Sequence, residues 1–311
     1  MTRRTGSSCR RDAGLAFLGL GTVQFGLDYG VSNAEGRTPP AEVARILTAA
    51  REQDIRVLDT AAQYGDSEAV LGQVLDGDPA FDIVTKTPPL VDDEDPAASM
   101  RSALEHSLDR LRTKRAYGLL LHRCEDLLNG DGSGLYDALR VARAEGLVSK
   151  IGVSVYSPEQ VEAVMERYPV DLVQLPLSLF DQRMAIGGQL ARLHEAGIEI
   201  HVRSVLLQGL LLMDPDSLPT YFEPVSARLR RLHRMLAEHE LSPLKGAIAY
   251  ARSMSEVDCV VVGVCSLTQL NEVIDAGSAH FPEEIDTGAF AVDDPALVDP
   301  RCWPSIQGER Q

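Results

Sequence analysis

Eight short apolar runs, separated by stretches of helical periodicity, constrain this chain more than any other feature. Strands that alternate with helices in this way lie parallel in one sheet. The runs end near Leu20, Leu58, Lys86, Leu121, Val153, Gln174, Arg203 and Val262. The helical stretches cover 40–53, 66–75, 97–112, 134–146, 158–167, 187–196, 225–239, 243–253 and 267–276. Runs such as Lys150-Ile151-Gly152-Val153-Ser154 and Cys259-Val260-Val261-Val262-Gly263 lack polar alternation, as strands covered on both faces do. Eight of them imply closure, so the expected class is α/β, a single-domain (β/α)8 TIM barrel. The 311 residues are 44% hydrophobic and carry no Gly/Ser or Pro linker in their middle, which suits one large core. The barrel is expected over 15–311, after a disordered tail at 1–14.

Arg3, Arg4, Arg10 and Arg11 precede the apolar run Leu15 to Leu20 and invite a signal-peptide reading. Glycines interrupt that run and no small-residue cleavage site follows, which favours a tail leading into a first strand. No other stretch is apolar for long enough to span a bilayer. A net charge of −16 argues against a general affinity for nucleic acid or anionic membrane. Cys9, Cys124, Cys259, Cys265 and Cys302 are scattered without CxxC or zinc-like spacing, as in a protein of the reducing cytoplasm. The seven histidines show no HxH or HExxH spacing, so no metal is expected. No obligate protein partner is evident.

Chemistry collects at the strand ends. Asp59 closes the second run and Tyr64 follows five residues later, Lys86 closes the third, and His122 follows the fourth. Taken singly, each residue has an ordinary reading: Asp59 as a helix cap, Tyr64 as a surface ring, Lys86 as a solvated charge, His122 as a satisfied polar group. Together and in order, they are better explained as a barrel active site. Reduction of a carbonyl leaves an alkoxide-like oxygen, so a site for it must supply a proton and a strong hydrogen-bond donor. Tyr64 suits the acid, with Lys86 near enough to help the phenol switch between donor and phenolate. Asp59 is expected to pair with Lys86, and His122 to orient the substrate carbonyl.

Those residues, with Gly19-Leu20-Gly21-Thr22, Leu58-Asp59-Thr60-Ala61-Ala62-Gln63-Tyr64-Gly65, Thr85-Lys86, Leu121-His122 and Val262-Gly263-Val264-Cys265-Ser266, make the chain resemble an aldo-keto reductase over nearly its whole length. The resemblance assigns the four residues the roles above. It also implies a nicotinamide cofactor, with Ser154 and Gln174 at the carboxamide. Gly21 and Thr22 lie beside it, and Arg203 stands where an aromatic commonly stacks on the nicotinamide. Ser204, Leu206, Gln208 and Gly209, with Gly263, Ser266, Gln269 and Glu272, would wrap the pyrophosphate and adenosine end. Ser266 serves equally well as a simple helix cap. No GxGxxG follows the first strand, which counts against a Rossmann fold.

Two departures bear on the cofactor. Gln269 stands where many members carry an arginine that grips the ribose 2′-phosphate, and Val273 replaces the usual asparagine. NADP(H) is the favoured cofactor and NAD(H) the alternative, since an amide lacks the bidentate charged pairing of guanidinium. Arg203, a cation beside a ring that becomes positive on oxidation, tilts the chain toward reduction. The substrate is expected to be a small carbonyl compound, with a sugar or keto-sugar favoured by polar and aromatic walls at 23–30, 123–126 and the segment containing Trp303. Two other classes stay open: a non-catalytic, cofactor-binding scaffold on the same barrel, and a lyase or aldolase that uses Lys86 as a Schiff-base amine.

Overall fold

The computed structural model describes residues 14–31, 33, 36–90 and 95–304. Eight parallel strands, β1 (Leu18–Gly21), β2 (Val57–Asp59), β3 (Asp82–Lys86), β4 (Ala116–Leu121), β5 (Val148–Ser154), β6 (Leu172–Pro176), β7 (Glu199–Arg203) and β8 (Cys259–Gly263), pair in chain order. The sheet closes where Leu18 to Gly21 pair with Val260 to Gly263. The (β/α)8 barrel expected from the alternation is therefore present, with strands within a residue or two of the expected ends. The expected tail lies, apart from Gly14, outside the described residues.

Among the described residues, nine longer helices surround the barrel: α1 (Pro40–Glu52), α2 (Ser67–Leu75), α3 (Pro96–Arg110), α4 (Ser133–Ala144), α5 (Pro158–Arg167), α6 (Gln189–Glu195), α7 (Glu223–Glu238), α8 (Pro243–Ser253) and α9 (Leu267–Ala276). Their starts are written locally. α5 opens on a capping box, in which Ser157 accepts from the Gln160 backbone and Gln160 returns the bond, with Pro158 preset in the first turn. Asp95, Ser242 and Ser266 cap α3, α8 and α9 in the same sense. The long connection after β7 forms 3-10 turns at Leu207–Leu212 and Thr220–Phe222, then α7, which buries Val225, Leu229, Leu232 and Leu236.

Alternation along the strands decides what points into the barrel, because residues two apart share a face. Val57, Val84, Leu120, Leu172, Cys259 and Val261 form a separate cluster from the helix-facing core. Stepping two residues on from Val57, Val84, Leu120, Leu172 and Val261 reaches Asp59, Lys86, His122, Gln174 and Gly263. The inward parity that fills the barrel thus delivers a polar set to its C-terminal mouth. The opposite end is closed by a second polar set. Glu199 pairs with Lys150 and accepts a 2.8 Å bond from the Tyr117 hydroxyl, while His201 Nε2 lies 2.7 Å from Glu199 Oε1. Burial pushes the Glu199 carboxyl up, but the bond from His201 and the charges of His201 and Lys150 outweigh it and hold the group down to about 2.

Candidate active site

Asp59 and Lys86 form the centre of the mouth. Lys86 Nζ donates to Asp59 Oδ1 at 2.6 Å, to Asp59 Oδ2 at 2.7 Å and to the Thr60 carbonyl at 3.0 Å. Both side chains are almost wholly buried, 1% exposed for Lys86 and 5% for Asp59, so the ordinary reading of Lys86 as a solvated loop charge does not hold. Gln174 Nε2 adds a 2.7 Å bond to Asp59 Oδ1. The Asp59 backbone carbonyl accepts from Thr22 Oγ1 at 3.0 Å, which anchors the end of β2 to β1.

Tyr64 is placed by a tight crossing of two loops. A Cβ on Gly26 would lie 1.9 Å from the Tyr64 carbonyl, so only glycine lets the loop after β1 pass beneath Tyr64. The Tyr64 N–H donates to the Ala61 carbonyl and the Ala62 N–H to the Lys86 carbonyl, each at 3.0 Å, which ties this turn to the end of β3. The Tyr64 hydroxyl lies 3.5 Å from Lys86 Nζ. His122 stands edge-on to the Tyr64 ring, with centroids 5.8 Å apart. The sequence brings these four residues into order, and the structure brings them into one cluster.

The electrostatics differ from the expectation in one respect. Burial, reinforced by the Asp59 charge, pushes the Tyr64 phenol up, so it stays protonated. Lys86 Nζ lies 3.5 Å from the hydroxyl but 2.6 Å from Asp59, and in the resting site burial and the Asp59 charge prevail. The Lys86 ammonium is itself lowered by burial, against the pull of Asp59. His122 is pushed down to about 3 by burial and then by the Lys86 charge, which leaves a neutral imidazole at ordinary pH.

A cavity of about 480 Å³ opens over this cluster. Asp59, Tyr64 and His122 line one end, and Gln269 and Glu272 the other, with Gly21, Thr22, Gln174, Arg203, Ser204, Leu206, Gln208, Gly209 and Gly263 between. Three expected residues stand outside its walls. Lys86 is screened behind Asp59 and Tyr64, Ser154 is buried at the end of β5, and Ser266 is a cap that accepts from the Gln269 N–H at 3.3 Å. The stretch from Ser204 to Gly209 has positive φ at Ser204, Leu207, Gln208 and Gly209. Backbone of that kind costs on the order of 1–3 kcal/mol per non-glycine residue and collects where a ligand must be met.

The donor set fits a nicotinamide cofactor. Ser154 Oγ and Gln174 Oε1 are buried polar atoms with no protein hydrogen-bond partner among the described residues. They lie side by side in register on β5 and β6, and a carboxamide offers both the donor and the acceptor they need. At the far end Gln269 Oε1 accepts from the Cys265 N–H at 2.7 Å, so part of its side chain is committed to the loop it follows.

The match to known proteins is then direct, because the model of the aldo/keto reductase family covers residues 17–286. The chain belongs to the aldo/keto reductase family. Members of this family use nicotinamide cofactors. A 6-dehydroglucose reductase of Novosphingobium aromaticivorans is 34% identical over 149 residues, 42% of this chain and 47% of that protein. An aldo-keto reductase of a Mycobacterium species is 31% identical over 189 residues, 58% of this chain and 64% of that protein. The chain thus matches about half the length of these relatives. Among solved structures, the holo form of an aldo-keto reductase from Bacillus halodurans superposes with a TM-score of 0.71 at 21% identity, covering 88% of this chain and 90% of that one. A glycerol dehydrogenase from Gluconobacter oxydans gives 0.69 at 22%, covering 91% and 92%. At such identities the likeness is one of fold.

One wall residue of this family member escapes sequence reasoning, and another falls in the C-terminal segment expected as a wall. Tyr156 and Arg301 both line the cavity. Arg203, expected beside the nicotinamide, places its guanidinium carbon 4.0 Å from the centre of the Tyr156 ring. Of the C-terminal segment expected as a wall, Pro300 and Arg301 line the cavity, whereas Trp303 packs against Phe222 at 4.7 Å. Arg123 is exposed and does not reach the cavity. Among the described residues, no helix is long and apolar enough to cross a membrane.

Proposed function

We propose that this chain reduces an aldehyde or ketone to the alcohol with a nicotinamide cofactor, Tyr64 being the general acid. The observation that carries the reading is the convergence of Asp59, Lys86, Tyr64 and His122 under a cavity lined by Gln174, whose strand neighbour Ser154 is buried beside it. Ser154 and Gln174 would hold the carboxamide, the loop Ser204 to Gly209 the pyrophosphate, and Gln269 and Glu272 the adenosine end. The bound dihydronicotinamide supplies the hydride.

The chain's own residues do the rest. The carbonyl oxygen accepts a hydrogen bond from neutral His122 and lies against the Tyr64 hydroxyl. As negative charge grows on that oxygen, Tyr64 delivers its proton. Lys86 then stabilises the phenolate left behind, and Asp59 keeps Lys86 charged and fixed in a dry setting. A phenol held protonated by burial is in the form that donates a proton during reduction.

The resemblance favours NADP(H). The adenosine end has Glu272 in its wall, and Glu42 accepts from the Leu267 N–H at the start of α9 at 2.7 Å. Glu42 also pairs with Arg45 at 2.7 Å, so it is Glu272, with no cation beside Gln269 among the described wall residues, that weakens the preference, and we expect both cofactors to be used. The similarity to a 6-dehydroglucose reductase and the mixed polar and aromatic wall support a sugar or keto-sugar as substrate. The acidic charge and cysteine spacing favour the cytoplasm as its location. Against the Schiff-base alternative, three oxygens already hold Lys86 Nζ and the residue is not exposed to the cavity.

Titration with NADPH and NADH by calorimetry, followed by turnover of aldehydes and ketoses, tests the reading. Tyr64→Phe is expected to lower kcat by about 10²–10⁴-fold, the range for a lost general acid, with cofactor affinity nearly intact. Retained kcat removes Tyr64 from the chemistry, and failure of both cofactors to bind overturns the nicotinamide reading.

A further inference from the structure

The substrate end of the cavity holds two arginines on one aromatic ring. The guanidinium carbon of Arg203 lies 4.0 Å from the Tyr156 centroid and that of Arg301 3.3 Å from it, and all three residues line the cavity. They come from different parts of the fold: Arg203 ends β7, Tyr156 follows β5, and Arg301 sits in a 3-10 turn at Pro300–Cys302.

The placement is built. Asp299, 6% exposed, grips Arg301 by its backbone N–H at 3.0 Å and by Nη2 at 2.7 Å, with Nε 3.1 Å from both carboxylate oxygens. Arg203 donates from Nη2 to the Val155 carbonyl at 3.0 Å and from Nη1 to Ser204 Oγ at 3.3 Å. Among the described residues it has no ion-pair partner. A guanidinium carries five N–H donors, so these two bonds leave three of them unclaimed. The acidic residues in the cavity wall are Asp59, neutralised by Lys86, and Glu272 at the far end. Asp299 and Glu125 offset Arg301, while Arg203 keeps unclaimed donors at the cavity wall, in a chain whose net charge is −16.

We propose, on the reading that the chain reduces a carbonyl compound at Tyr64, that Arg203 and Arg301 form a subsite for an anionic group on the substrate, a carboxylate or a phosphate ester carried away from the reacting carbonyl. Tyr156 holds both guanidinium groups in place by stacking, and their planar forks match either anion. A low-dielectric cavity wall makes such a pairing stronger than it is on the open surface.

The test uses matched pairs of substrates with the full-length protein: butyraldehyde against succinic semialdehyde, which adds a carboxylate, and glyceraldehyde against glyceraldehyde 3-phosphate. A charge-assisted hydrogen bond contributes about tenfold to a hundredfold, so at least one charged partner is expected to exceed its neutral match in kcat/KM by that margin. The pair showing the preference identifies carboxylate or phosphate as the recognised group. Arg301→Gln is expected to reduce the charged-to-neutral ratio about tenfold or more, mostly through KM, and Arg301→Lys to restore part of it. KM for the charged substrate should also rise with salt. Equal or better turnover of both neutral aldehydes overturns the subsite and leaves the reductase reading standing. A charged preference that survives both Arg301→Gln and Arg203→Gln overturns it as well. Absence of turnover with all four compounds and of cofactor binding defeats the reductase reading, and the subsite with it.

Discussion

Removing one member of the Asp59–Lys86 pair and then both separates what the pair does for folding from what it does for chemistry. Lys86 is 1% exposed and Asp59 5%, with Nζ 2.6 and 2.7 Å from the two carboxylate oxygens. Breaking so buried a pair by neutralising one partner strands the other charge and costs about 3–5 kcal/mol, whereas replacing both with groups of similar shape is close to neutral. Asp59→Asn and Lys86→Met are therefore each expected to lower Tm by roughly 5–8 °C. The amide introduced by Asp59→Asn still offers an oxygen to Gln174, so the loss in that variant reflects the stranded ammonium. The double variant is expected to recover most of the stability while kcat stays at the level of the singles. The single variants should also respond to pH with opposite signs. A stranded ammonium sheds its proton as pH rises, so Asp59→Asn becomes less costly toward alkaline pH; a stranded carboxylate takes up a proton, so Lys86→Met becomes less costly toward acid. Urea unfolding across pH, with steady-state reduction beside it, measures both. A double variant that loses the sum of the single losses would show that the two groups are not coupled and sink the argument.

Three further expectations are open to direct measurement. Neutral His122, pushed down to about 3, and protonated Tyr64, pushed up, give a kcat for reduction that is flat from about pH 5 to 8; a limb with its midpoint near the ordinary 6.5 would show that His122 titrates as an unperturbed histidine. Gln269→Arg should raise the NADPH-to-NADH ratio of kcat/KM by about tenfold to a hundredfold, the value of a charged phosphate contact, and an unchanged ratio would place the 2′-phosphate elsewhere. Glu199 falls from its ordinary 4.5 to about 2 on folding, which corresponds to about 3 kcal/mol present above pH 4.5 and lost as pH falls toward 2. Glu199→Gln should therefore be less stable at pH 7 and show a weaker fall in stability toward acid, and a wild-type-like pH slope in unfolding would refute the assignment.

The barrel was legible because its signal is repeated and local. Each apolar run is short, most helix starts carry Ser, Asp or Pro in the right place, and eight repetitions average out any single misreading. Asp59, Lys86, His122 and Gln174 were legible for a related reason: strand ends are countable, and inward parity then follows. Tyr156 was not, and Arg301 was legible only as part of the segment around Trp303. They meet across 145 residues of sequence, in loops without periodicity, and a lone arginine near the end of a chain ordinarily reads as a solvated charge. Trp303 marked that segment, since a single tryptophan stands out in composition, yet its ring has an apolar partner in Phe222 and Arg301 is the residue that lines the cavity. The relation of Lys86 to Tyr64 was legible as proximity only. Which of two neighbours receives the ammonium depends on distances of 2.6 against 3.5 Å, and no spacing in a sequence reports that difference.

The polar floor at Glu199, Lys150, His201 and Tyr117 has a bearing on how the mouth can change. β5 and β7 each run from a floor residue to a mouth residue, Lys150 to Ser154 and Glu199 to Arg203, a span of about 13 Å at roughly 3.3 Å per residue. Ion pairing at one end pins the register of both strands, so a neighbouring loop at the other end can lengthen, shorten or exchange its side chains without sliding the strand that carries it. Specificity can drift in such a barrel as a pattern on a fixed loom, one thread replaced at a time while the warp stays taut.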